Sequence, residues 1–210
     1  FEVQGRAGLN VATWNLRYEN AKVVELRTIP PDNPKIFEER YKGRETRPIV
    51  HWGIQGAQTA SPIAAPGKYT VRMTAPGGAP MTQPFEVVKD VLISSSDADL
   101  VEGTKAQVRV RNALTETAEL TKRIEVMRNQ IEDLLKANKG KDELEKPLMD
   151  LDKKMRDVEL IMLSNHDMYS DDKWYVEAYH LYQNLIWLNG VIGFGAGDVA
   201  GGAEYKPTAA

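Results

Sequence analysis

Residues 120–162, LTKRIEVMRNQIEDLLKANKGKDELEKPLMDLDKKMRDVELIM, decide the fold. Leu120, Ile124, Met127, Ile131 and Leu134 step by 4, 3, 4 and 3. Leu144, Leu148, Leu151, Met155, Val158 and Met162 continue the same rhythm. Each series draws a narrow apolar stripe along one side of a helix. Asn138-Lys139-Gly140 between them reads as a helix stop, and Asp142 as the N-cap of a restart. So short a turn forces the two helices antiparallel. Pro147 falls near the start of the second helix, where a proline is best tolerated. The spacing predicts that Ile124 and Met127 meet Leu151 and Met155 across the seam.

Outward from this hairpin, Ser164 to Asp172 breaks the pattern, and Asp171 or Asp172 can cap a third helix. There Trp174, Ala178, Leu181, Leu185 and Leu188 again step by 4, 3, 4 and 3. Gly190 to Gly202 holds six glycines after a helix, the wrong order for a dinucleotide loop, and reads as a flexible tail. Upstream, Ser94-Ser95-Ser96-Asp97 marks a boundary, its serines suited to capping. Residues 1–92 are Pro- and Gly-rich, with alternating runs at Ala12–Tyr18, Ala21–Thr28, Tyr69–Thr74 and Met81–Val87. Ala75 to Pro80 makes the last two a hairpin, and Trp14 is large enough to dominate a core. Pro30–Pro48 reads as a surface excursion with one helical turn. The expected class is α+β in two domains. An Ig-like antiparallel β-sandwich over 1–92 precedes an antiparallel helical hairpin with a third helix over 93–189, then a Gly-rich tail over 190–210.

The 210 residues carry 27 Lys+Arg against 30 Asp+Glu, a net charge of −3. Residues 1–92 contribute +3 and the remainder −6. That balance argues against a nucleic-acid binder. With no cysteine, disulfides, thiolate catalysis and Cys-based metal sites are excluded. No run of about 18 apolar residues is present, so no transmembrane segment is expected. The abrupt ends, Phe1 and Ala210, read as those of an excised piece, and Pro207-Thr208 as the first turn of a further helix.

Chemistry is sparse. His51, His166 and His180 are scattered, and His166-Asp167 near Asp171 and Asp172 reads as a solvated loop rather than a cation site. The helical carboxylates lie on polar faces, not as a facing pair across a cleft. No serine has a nucleophile-elbow context. The expectation is therefore no enzyme activity from this chain and no cofactor. Interaction candidates are the tip lysines Lys136, Lys139 and Lys141, and the aromatics Tyr175, Tyr179 and Tyr182. The bland reading of the lysines is compensation of a helix dipole, and of the tyrosines, internal packing.

Two runs carry a family resemblance: Ala7-Gly8-Leu9-Asn10-Val11-Ala12-Thr13-Trp14-Asn15-Leu16-Arg17-Tyr18, and Ala65-Pro66-Gly67-Lys68-Tyr69-Thr70-Val71-Arg72-Met73-Thr74 with Thr82-Gln83-Pro84-Phe85-Glu86-Val87. Together they resemble the C-terminal region of bacterial secreted β-propeller proteins with Asp-box (BNR) repeats, of the sortilin-like or glycosyl-hydrolase-like kind. In that family an Ig-like module, similar to that of flagellar hook-capping proteins, follows the propeller, and a helical hairpin follows it. The resemblance implies a periplasmic or extracellular location, with any signal peptide removed or upstream. It also implies a scaffold or accessory subunit with protein partners in a larger envelope complex. The alternative it implies is an accessory module of a propeller-type glycoside hydrolase or glycan-binding protein.

Overall fold

The computed structural model describes residues 2–29, 39–49, 60–164, 178–194 and 206–208. Among the described residues three helices carry the architecture: α1 (Asp97–Ala137), α2 (Asp142–Met162) and α3 (Leu181–Phe194). Four strands form two antiparallel ladders, β1 (Glu25–Arg27) with β2 (Thr46–Pro48), and β3 (Gly67–Met73) with β4 (Met81–Val87). The class is α+β, as the sequence predicts.

α1 is 41 residues long, about 60 Å at 1.5 Å per residue. It starts where the serines predict. The Ser96 hydroxyl accepts the Asp99 N–H, while the Asp99 carboxylate accepts from the Ser96 backbone, a closed capping box. It stops at Asn138, whose side-chain amide donates to the Leu134 carbonyl (2.9 Å). Gly140 then turns the chain at φ +87°, a conformation that a Cβ would strain. Asp142 is not the N-cap of α2. Lys141 holds that position without a side-chain bond, and the Glu145 carboxylate instead takes the Gly140 N–H at 2.6 Å. Asp142, Glu143 and Glu145 place three carboxylates in the positive first turn.

The heptad stripes pack differently from their expected pairing. Ile124 and Ile131 are buried, but Leu120, Met127 and Leu134 are 38–49% exposed. On α2, Met155 and Met162 pack into the core, whereas Leu144, Leu151 and Val158 are 44–47% exposed. Ile124 and Met155 thus share the core as predicted, and Met127 and Leu151 do not. The buried side of α1 is Leu114, Thr117, Ala118, Thr121, Ile124, Glu125, Arg128 and Ile131, half of it polar. Rotation toward those polar positions is driven by the strand and helix that also cover α1.

That cover comes from both ends of the chain. One cluster joins Ala21, Val24, Leu26 and Ile49 to Leu114, Ala118, Ile124, Met162, Leu163, Tyr182 and Ile186. The β1–β2 ladder, in register Leu26↔Arg47, therefore lies on the helices. Among the described residues no third strand joins either ladder. Ala12–Tyr18 is not a strand, and Arg17 alone forms a bridge, to Ile63. The single helical turn expected in the Pro30–Pro48 excursion is Glu39–Tyr41; residues 30–38 lie outside the described residues. The predicted β3–β4 hairpin is present, in register Tyr69↔Phe85 and Met73↔Met81. Trp14 packs on it, 5.8 Å from the Tyr69 ring and 6.1 Å from Phe85. Farther along the same sheet face, Val71, Met73 and Met81 are 52–55% exposed.

Gly190 and Gly193 belong to α3, not to a tail. A Cβ on Gly193 would stand 3.0 Å from that of Ala60, so the glycine lets α3 close on the 60–64 segment. Beside it the Asn189 amide donates to the Ala60 carbonyl at 2.9 Å. Apolar burial predicts the ranking of two substitutions. Ile124→Ala should lower unfolding free energy by about 2–5 kcal/mol, and Leu134→Ala by less than about 1 kcal/mol. Urea denaturation of both variants checks it; equal losses would contradict the rotated stripe.

Candidate interaction surface and the ion network behind it

The two long helices are locked by charge. Arg128, its side chain 2% exposed, donates from Nε to Asp152 Oδ1 at 2.9 Å and from Nη2 to Asp152 Oδ2 at 3.2 Å. Its Nη1 donates to Glu159 Oε2, also at 2.9 Å. The fork thus spans Asp152 and Glu159, seven residues and two helical turns apart on α2. Arg156 approaches the same Glu159 oxygen at 3.6 Å. One helical turn from Arg128 in either direction along α1, Glu125 (2.8 Å) and Glu132 (2.6 Å) accept from Arg27 of β1. The network runs from β1 through α1 to α2 and fixes their register.

Glu159 is fully buried, and burial is the main reason that its carboxyl is pushed up to about 7. The charge of Glu125 and a hydrogen bond to Glu125 raise it further, while Arg128 and Arg156 pull it down. A proton held in the folded state above its ordinary value of 4.5 stabilises that state at low pH. This contribution is complete below 4.5 and is lost as pH rises toward 7. The shift corresponds to roughly 3 kcal/mol at most. Denaturation midpoints should therefore fall between pH 4.5 and 7 by more in the native chain than in Glu159→Gln. Parallel pH profiles for the two proteins would contradict the buried proton.

The predicted interaction residues are not brought together. Lys136 is exposed and pairs with Asp133 at 3.2 Å. Lys139 is exposed in the turn, and Lys141 caps α2 with its ammonium 3.2 Å from Asn138 Oδ1. Tyr182 is 1% exposed, and its hydroxyl accepts the Val24 N–H at 3.0 Å, so it belongs to the interior. Tyr179 is half-buried, with its ring 6.4 Å from that of Trp187. Tyr175 lies outside the described residues, as do His51, His166, Asp167, Asp171 and Asp172. His180 places its ring Nδ1 against the Leu160 carbonyl, tying α3 to α2.

A surface that the lysines and tyrosines do not mark is the outer side of the α1–α2 hairpin. Leu120, Met127 and Leu134 recur every seven residues on α1, and Leu144, Leu151 and Val158 on α2. Glu125 and Glu132, which face β1, stand five positions further along α1, roughly 140° round the helix. On α2, Leu151 and Val158 stand one position, about 100°, before the carboxylates that meet Arg128, so the exposed apolar residues flank the seam on the side away from β1. The sequence does show this stripe, but merges it with the buried one, because Ile124 and Ile131 sit only about 40–60° round the helix from it.

Among the described residues no three His, Asp or Glu side chains gather as metal ligands. No described helix is long and apolar enough to cross a membrane. No family model, curated protein or solved structure matches this chain.

Proposed function

We propose that this chain is a non-catalytic structural and protein-interaction module of an extracytoplasmic bacterial protein, a scaffold or accessory subunit of a larger assembly. The observation that carries it is the outer face of the α1–α2 hairpin. Six large apolar side chains lie there, more than a third exposed, along two helices that the Arg128 network holds in register. Large apolar side chains repeated along one exposed face mark an interaction site more often than apolar residues scattered singly. The open end of the β3–β4 face, with Val71, Met73 and Met81, supports the same reading. It is also the feature that favours an Ig-like layer over residues 1–92, since such a sheet face calls for a second sheet. The envelope location rests on the resemblance of the Ala7–Tyr18 and Ala65–Val87 runs to the propeller-protein C-termini.

The test is capture. The tagged chain is used to recover proteins from an envelope fraction, beside Leu120→Glu/Leu134→Glu, whose positions are exposed. The variant should lose at least about 90% of what the native chain recovers. Equal recovery would remove the binding role from this face. In parallel, aryl glycosides and esters should show no turnover that a single substitution in this chain abolishes; such turnover would overturn the non-catalytic reading.

A further inference from the structure

The outer face has an internal symmetry. Leu134 and Leu144 lie five residues either side of Lys139, Met127 and Leu151 twelve, and Leu120 and Val158 nineteen. In an antiparallel hairpin these are three apolar layers at equal steps along it. Between them sit exposed layers, Gln130 with Pro147, then Arg123 with Lys154. Beyond the last apolar layer come Glu116 and Ile161, and at the opposite end the lysine-rich tip.

We propose that this face binds a second copy of the chain, antiparallel, about a two-fold axis crossing the Met127–Leu151 layer. It deepens the interaction reading above, on which it rests, by naming one partner. Rotation about that axis sets Leu120 against the second copy's Leu134, and Val158 against its Leu144. Met127 and Leu151 meet their own copies. The cations are kept apart: Arg123 faces Gln130, and Lys154 falls at Pro147. Lys139 at the tip comes to the level of the second copy's Glu116, joining opposite charges at both ends. A parallel pairing is disfavoured by the same residues, because it sets Arg123 against the second copy's Lys154 and puts four cations in one layer. Seven-residue spacing on both helices suits knobs-into-holes packing at the shallow crossing of a four-helix bundle. From Glu116 to Lys139 the face is about 35 Å long and about 20 Å wide. Two copies therefore cover on the order of 1,200 Å² or more, within the range of specific interfaces.

Sedimentation of the purified 210-residue chain tests this directly. The expected result is a reversible equilibrium between the 23.5 kDa monomer and a species of twice that mass. Met127→Glu/Leu151→Glu should weaken it at least about tenfold, by stacking carboxylates on the axis. Both positions are exposed, and an unchanged melting curve verifies that the variant folds. Register is read by single cysteines in a chain that has none of its own. Met127→Cys should give a disulfide-linked dimer on oxidation, while Asn129→Cys, exposed on another side of α1, should not. A native chain that stays monomeric, a dimer that survives the double glutamate variant, or equal cross-linking at 127 and 129 would each overturn the proposal. If the native chain is monomeric yet the capture above depends on Leu120 and Leu134, the second copy falls and the interaction reading stands. If neither holds, both fall.

Discussion

Arg128 is the constraint on which the helical half depends. Its guanidinium is almost completely removed from water, yet keeps its charge, and so must be met by carboxylates at fixed places. Asp152 and Glu159 meet it from two successive turns of α2. Apolar pairs across the same seam would tolerate sliding by one heptad, since leucine follows leucine every seven residues. A bidentate arginine resists it. A seven-residue slip in one sense would take one carboxylate out of reach; in the other, Glu145 and Asp152 would stand where Asp152 and Glu159 do, and there the short Asn138–Lys141 turn holds the register. The cost of desolvating this network is offset by what it specifies, one register for the hairpin and, through Arg27, one position for β1.

The same network explains which parts of the fold the sequence reveals. Period and punctuation were enough for the helices: the capping serine at 96, the stop at Asn138 and the glycine at 140 lie where local chemistry puts them. The β3–β4 hairpin was legible for the same reason, being a pair of alternating runs around a Pro-Gly turn. The side of α1 that faces inward was not. Thr121, Arg128, Asp152 and Glu159 are polar and read as solvent-facing until the partner charges are brought together across 24 and 31 residues. Alternation at Ala12–Tyr18 misled for a different reason. Trp14 needs neighbours, and finds them in the rings of Tyr69 and Phe85 without joining a ladder. Likewise, six glycines near the C-terminus looked like a tail. Two of them are helical, and at one of these, Gly193, the approach of Ala60 leaves no room for a side chain.

The interaction surface was half visible. Heptads pointed to the hairpin, but charge and aromaticity pointed to its tip and to α3. Tyr182 shows why aromatic crowding is ambiguous: the ring buries well, and its hydroxyl satisfies the Val24 N–H just ahead of β1. The apolar residues left outside carry the functional argument instead. They stand out only once Ile124, Ile131, Met155 and Met162 have been assigned to the inside.

The bond between Val24 and Tyr182 joins positions 158 residues apart. Chains are made from the N-terminus, at roughly 5–20 residues per second, so β1 precedes its cover by roughly 8–30 s. During that interval Val24 and Leu26 have no α3 to lie against, and until residue 137 has been made no complete α1 either. Helix α1 forms locally and quickly, and offers β1 its first surface. Closure then waits on the last helix, whose arrival seals the core from the opposite end of the chain. The order of synthesis thus makes β1 the longest-exposed apolar strand of the nascent protein, and α3 the element whose loss would leave it so.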